Sequence, residues 1–376
     1  MSDTHAASPL SRRTALQAGA LTVSTALAAN YGLGQRSALT AENGARATKP
    51  RIKLGQIGVG HAHAGKLGVY RTGEDYEIVG IVEPDEALRA KVQQQPTYRD
   101  LPWMTQEQLL NVPGLQAVLV ETHVRDSLNA AEACLAAGKH VHLDKPAGES
   151  LAHYERLLKL AAQKQLLMQM GYMFRYSPAV LLLKEVLQAG WLGELTELHT
   201  TMSKVVPAAQ RRALAEYPGG IMFELGCHVI DLVVMILGKP DKVTPYARQV
   251  VREDKLLDNM LAVFEYPRAT ATVRSSAVEV DGATRRHLTV CGTGGTFHIQ
   301  PLDRPAAKIT LAKGNERFKA GTHDIPFTPY TRYIGDAIDM AKIIRGEKAS
   351  DYSYEHDQIV QRCVLEASAV QPDTAG

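Results

Sequence analysis

The sequence predicts an α/β protein, with a doubly wound parallel sheet in its N-terminal part and a second α/β domain after it. Three observations carry this expectation. Near-continuous apolar runs at Leu54–Ile57, Tyr76–Val82, Leu115–Val120 and Val141–Leu143 alternate with helical stretches, the signature of strands buried on both faces. A glycine turn, Gly58-Val59-Gly60-His61-Ala62-His63, joins the first run to a helical stretch through Leu67 and Tyr70. From Glu194 onward several runs alternate with period two, as strands covered on one face do.

The elements are justified in chain order. Ser11-Arg12-Arg13-Thr14 precedes a weakly apolar stretch from Ala15 to Ala29, which contains the small-x-small pattern Ala26-Leu27-Ala28. This resembles a twin-arginine export signal, with Ala15 standing where that motif usually carries Phe. Gln17, Thr22, Ser24 and Thr25 interrupt the stretch, leaving it too short and too polar to span roughly 30 Å of hydrocarbon. The expected organisation is a signal at 1–28, a linker at 29–49, a nucleotide-binding domain at 50–171 and a substrate and oligomerisation domain at 172–376. The helix between the third and fourth strands is read as Ser127 to Ala137. In the second domain strands are expected at Glu194–Thr201, near Ala247–Val251, and at Leu261–Tyr266, Ala269–Val278, His287–Cys291 and Lys308–Leu311. Helices are expected at Met222–Leu237, Tyr333–Arg345 and Tyr354–Ala367.

Composition removes several function classes. The 376 residues carry 42 Lys+Arg against 40 Asp+Glu, a net +2, which is no excess for displacing counterions from nucleic acid. At 45% apolar and 22% charged the chain has the balance of a globular protein. Cys134, Cys227, Cys291 and Cys363 lie far apart, so neither a disulfide scaffold nor a zinc module is indicated. No GxSxG elbow suggests a serine hydrolase.

The order strand, glycine turn, helix is chemically specific. Gly58 and Gly60 allow a tight turn and close approach to a pyrophosphate, whose charge then meets free amides at a helix start. Glu83 ends the second strand about 23 residues beyond Gly60, where an acid receives a ribose 2′-hydroxyl. It repels a 2′-phosphate, and no Arg follows until Arg89, so NAD is favoured over NADP. Ligands of such sheets lie outside the carboxyl ends of the strands, where Glu83, Thr122 and Asp144-Lys145-Pro146 converge.

At Asp144-Lys145-Pro146, Gly171-Tyr172-Met173-Phe174-Arg175-Tyr176-Ser177-Pro178 and Gly219 to Asp231 the chain resembles the Gfo/Idh/MocA family, that of glucose-fructose oxidoreductase and inositol dehydrogenase. The resemblance implies a Rossmann domain followed by an α/β domain with a large open, mostly antiparallel sheet, often used for dimer or tetramer contacts. It also implies sugar, cyclitol or related substrates and a nicotinamide cofactor. Carried over by motif, Lys145 matches the lysine beside the nicotinamide, His228 the acid/base, and Glu224 a position where the family commonly places Asp. Asp144 stands in place of the usual Glu, and Thr122-His123-Val124-Arg125-Asp126-Ser127 in place of Thr-Pro-x-x-x-His.

Oxidising a secondary alcohol needs a base within reach of the hydroxyl, and His228 suits that task. On one helix, Glu224 and Asp231 would share a face with His228, so one carboxylate is expected to fix the imidazole tautomer. Lys145 is expected to have its pKa lowered beside a positive nicotinamide and to relay the proton. Catalysis is thus assigned to Lys145, His228 and Glu224, and substrate contact to Tyr172, Arg175 and Asp231. The cofactor is assigned to Gly58, Gly60, His61, His63, Glu83, Thr122, Asp144 and Lys145. The pairs His61/His63 and His140/His142 have chelating spacing but no third donor in sequence, so no metal is expected. Arg211-Arg212 reads as solvated charge.

An exported nicotinamide enzyme is separated from the cytoplasmic partners that recycle its cofactor. The leading expectation is therefore a periplasmic or secreted sugar or cyclitol oxidoreductase with tightly held, self-recycled NAD(H). The alternatives are an NAD-dependent glycosidase, lyase or epimerase that oxidises only transiently, and a non-catalytic carbohydrate-binding relative. Expected partners are a small carbohydrate or cyclitol and further copies of the chain, with no nucleic acid and no membrane insertion of the mature form.

Overall fold

In a computed structural model, residues 49–373 are described. The expected export signal and most of the linker lie outside them. Two sheets organise the chain from Pro50 onward. The first has β1 (Ile52–Ile57), β2 (Tyr76–Val82), β3 (Leu115–Val120), β4 (His140–Leu143) and β5 (Met168–Met170), all parallel, in the order β2-β1-β3-β4-β5. The three residues of β5 are too few to stand out as an apolar run.

The second sheet has eight strands: β6 (Leu195–Thr201), β7 (Lys242–Arg248), β8 (Asn259–Glu265), β9 (Thr270–Ser276), β10 (His287–Gly292), β11 (Gly295–Ile299), β12 (Ala307–Leu311) and β13 (Gly321–Ile325). Their order is β13-β12-β11-β10-β6-β9-β8-β7, antiparallel except for β6 against β9. Alternation is clean where one face is covered: Ala307, Ile309 and Leu311 of β12 are buried while Lys308 and Thr310 face water. The strand expected near Ala247–Val251 lies earlier, at β7, because Asp258 accepts the amides of Val250 and Val251 and turns the chain there.

Helix ends follow ordinary capping chemistry. Ser150 Oγ accepts the His153 amide, and Asp85 accepts those of Ala87 and Leu88. The helix expected from Ser127 starts at Val124 and runs to Ala136. Helix 334–344 returns to the first sheet, where Ala337, Met340 and Ala341 join Ile52, Leu54, Tyr70 and Tyr76 in one core. Tyr76 Oη donates to Ala337 O at 2.6 Å, and Arg345 pairs with Asp75 at 2.5 Å.

Gly58 has φ +88°, and a Cβ there would lie 2.5 Å from the backbone nitrogen of Thr122. The strand–turn–helix junction therefore excludes any side chain. Gly58→Ala is expected to lower stability by about 1–3 kcal/mol and to weaken nicotinamide binding; an unchanged denaturation midpoint would contradict this account of the turn.

Candidate active site

A cavity of about 650 Å³ opens beyond the carboxyl ends of the first three strands, lined by Gly58, Gly60, Glu83, Arg89, Trp103, Thr122 and His123 among others. Its floor fits a dinucleotide. Gly60 faces His123, whose Nε2 would lie 2.9 Å from a Cβ placed there. Glu83 accepts the amides of Val59 and Asp85, each at 2.9 Å, so its carboxylate is fixed at the ribose end while keeping lone pairs for a hydroxyl. Arg89 stands over the Trp103 ring at 5.1 Å in the same cavity. These residues would hold the adenosine half of a nicotinamide cofactor.

At the other end of the turn lie the expected catalytic groups. Lys145, 1% exposed, donates to both the carbonyl oxygen (2.8 Å) and the carboxylate (3.1 Å) of Glu224. Burial works against the ammonium, but the negative charges of Glu224 and Asp144 outweigh it and raise the lysine pKa. Among the protein's own groups Glu224 supplies the opposite charge that keeps the ammonium protonated. Burial pushes Glu224 up, and Lys145 and the turn histidines hold it below the usual carboxylate range.

The segment expected as one helix is interrupted. Met222–Gly226 is a π-turn, and an α-helix begins only at Cys227 and runs to Leu237. Such insertions change the helical phase and concentrate at functional sites. Glu224 is turned onto Lys145, Asp231 is held by Arg175 and His356, and neither bonds His228. The expected carboxylate partner for His228 is therefore corrected. Its Nδ1 is buried with no partner among the described residues. Burial, then Lys145 and His63, lower its pKa well below 6.5, so the ring is neutral.

Beneath Lys145 lies a buried charge network. Asp144 receives the Lys145 amide (2.7 Å), Lys66 Nζ (2.6 Å), His63 Nδ1 (3.2 Å) and, as an ion pair, His61 Nδ1 (3.1 Å). Lys66 also pairs with Glu121 at 3.1 Å. His61 Nε2 lies 3.1 Å from the Lys145 carbonyl, and Nδ1 lies between Asp144 Oδ2 (3.1 Å) and the His63 amide (3.2 Å), so it is the neighbouring carboxylates that favour an imidazolium charge. Burial opposes that charge, but Asp144 and Glu121 raise its pKa to about 9. Burial prevails at His63 and lowers it to about 4. Desolvation raises Glu121, and likewise brings Asp336 up to about 7. A Cβ at Gly171 would meet Asp144 Oδ1 at 2.8 Å, so the glycine leaves room for the carboxylate.

His61, His63 and Asp144 bring three potential metal donors within 4.8 Å of one another, a convergence that sequence spacing does not reveal. The Lys66 ammonium already holds the cation's place against Asp144. His61 and His63 therefore face this network, not open cofactor space. Thr122 lies in the cofactor cavity.

The expected substrate contacts divide. Tyr172 packs edge-on to His228 with ring centres 6.5 Å apart. Arg175 and Asp231 are corrected: both are buried, Arg175 Nη2 bonds Asp231 (2.6 Å) and Asp357 (2.5 Å), and the guanidinium lies between the Tyr172 and Tyr352 rings. They form a structural ion-pair knot. Arg211, read as solvated, is likewise buried and bonded to Asp258 at 2.8 Å. Sequence reasoning missed Lys66, Glu121 and Asp336. Glu121 at the end of β3 had a positional signal, whereas Lys66 and Asp336 become neighbours only in three dimensions.

Residues 52–172 match the oxidoreductase family's NAD-binding Rossmann fold, and residues 180–298 match the GFO/IDH/MocA C-terminal domain. The chain belongs to the Gfo/Idh/MocA family. It is an NAD(P)-dependent oxidoreductase of that family. It is 28% identical to the uncharacterised oxidoreductase YhhX of Escherichia coli over 72% of this chain and 77% of the relative. It is 27% identical to human trans-1,2-dihydrobenzene-1,2-diol dehydrogenase over 57% of this chain and 65% of that protein. UDP-N-acetylglucosamine 3-dehydrogenase GnnA from Acidithiobacillus ferrooxidans shares the fold, with TM-score 0.71 at 18% identity, covering 85% of this chain and 97% of the other.

Breaking a buried ion pair by removing one partner costs about 3–5 kcal/mol. Asp144→Asn is therefore expected to lower the denaturation free energy by that order, and to drop the His61 pKa from about 9 to below 6.5 in histidine NMR titrations. An unshifted His61 would refute the network.

Proposed function

We propose that the protein oxidises a secondary hydroxyl of a sugar, a cyclitol or a derivative with an adjacent polar substituent. The observation that carries this is the meeting of a neutral, buried His228 with the Lys145–Glu224 pair where the glycine turn ends. Two relatives support the substrate class: one is named for a vicinal diol and one for the 3-position of an amino sugar. When bound, the nicotinamide supplies the hydride acceptor. Neutral His228 takes the hydroxyl proton, charged Lys145 holds the oxygen by hydrogen bond, and Glu224 keeps Lys145 in place.

The proposal includes export through the twin-arginine-like segment and retention of NAD(H) through a self-contained cycle, NAD being favoured by Glu83. Open-sheet contacts between copies belong to the same reading. Its test is direct. Protein recovered from the periplasm and denatured is expected to release NAD(H) detectable by mass spectrometry, and incubation with a sugar and cyclitol panel is expected to yield a ketone or a paired oxidised and reduced product. No nicotinamide released would end the retention reading. Bond cleavage without net redox would point instead to a lyase or glycosidase.

Lys145→Ala is expected to cut kcat by about 10²–10⁴-fold while nicotinamide stays bound, as read by stopped-flow absorbance and cofactor fluorescence. A base works unprotonated, and the lowered pKa keeps His228 unprotonated to lower pH, so the acid limb of kcat is expected well below pH 6.5. A limb at or above 6.5 would count against His228 as base.

A further inference from the structure

His228 poses a disposal problem. It is 2% exposed, so a proton received from substrate has no direct path to water. Its aromatic neighbours are Tyr172 (6.5 Å), Phe174 (5.8 Å) and His63 (5.6 Å between ring centres). Phe174 has no acceptor, and burial keeps the Tyr172 hydroxyl protonated. Lys145 already carries its proton, held by Glu224.

His63 alone among them can take the proton. Its Nδ1 lies 3.2 Å from Asp144 Oδ1, and a carboxylate only accepts, so Nδ1 carries the hydrogen and Nε2 has a free lone pair. A carboxylate behind an imidazole fixes the tautomer and steadies the imidazolium when it forms. The His63 side chain is 17% exposed, against 2% for residue His228. The charged and titratable groups around it are Asp144, Lys145, His61, Glu224, His142, His228 and Tyr333.

We propose that the His63–Asp144 pair relays the substrate proton from His228 to solvent. The inference rests on the alcohol oxidation proposed above. As the carbinol C–H electrons pass to the nicotinamide, the substrate O–H bond breaks and its proton bonds to His228. The proton then leaves His228 for His63 Nε2, Nδ1–H staying on Asp144, and His63 gives it to water. One proton leaves the site per alcohol oxidised. His63 is a relay residue acting through His228.

Two measurements on the full-length holoprotein test the relay. With isotopically labelled histidine ring nitrogens, NMR at neutral pH is expected to show His63 as the Nδ1–H tautomer; an Nε2–H tautomer overturns the proposal. With NAD+ and the sugar or cyclitol turned over by the unaltered protein, His63→Gln and His63→Phe are each expected to lower kcat by about tenfold or more, with KM and NAD+ dissociation constant within about twofold. Added imidazole is expected to restore the rate of His63→Phe with a solvent isotope effect, which a purely structural loss would not show. Lost NAD+ affinity with kcat retained makes His63 a cofactor ligand and overturns the relay. Undiminished kcat in both variants also overturns it while leaving alcohol oxidation standing, whereas no turnover by the unaltered protein overturns both.

Discussion

The carboxylate of Asp144 is the constraint on which the reactive end of the molecule depends. It holds Lys66, His61, His63 and the Lys145 amide, so four groups from the glycine turn, the helix start and the end of β4 share one anchor. Dehydrating charges costs several kcal/mol per ion, and that cost is offset only when every partner is in place. The cost falls on the ionised members, Lys66, His61 and Asp144, which each need the opposite charge of the others. Burial, and then the negative charge of Asp144, push Glu121 toward its neutral form against the pull of Lys66 and His61.

Lys145 connects this anchor to the other half of the molecule. Its backbone belongs to the network and its ammonium reaches the π-turn that enters helix 227–237. One side chain thus sets the approach of the second sheet's helix to the nucleotide turn. The π-turn gives that contact its geometry, since the extra residue sends Glu224 toward Lys145 and leaves His228 free of any carboxylate.

The parallel sheet was legible because each β1–β4 strand is an apolar run bounded by turn residues. β11 and β13 were missed, since Gly295–Ile299 and Gly321–Ile325 mix glycine, histidine and threonine and gain their regularity from neighbouring strands. At the site, Gly58, Gly60, Glu83, Lys145, Glu224 and His228 were legible by motif. The roles of Arg175 and Asp231 were not, because their partner Asp357 is 182 residues away from Arg175 and a motif carries no record of which charges meet. The carboxylate partner of His228 was misread for a local reason: regular helical spacing was assumed across a segment that contains a π-turn.

The return of helix 334–344 sets an order on the making of this protein. The face of the first sheet carrying Ile52, Leu54 and Tyr76 is closed by Ala337, Met340 and Ala341, residues synthesised long after the strands they cover. Until they emerge from the ribosome, the nucleotide-binding half keeps an open apolar flank and lacks Asp336 beside its charge network. The apolar core on that side of the first sheet is thus closed by residues made more than 150 positions after its last strand.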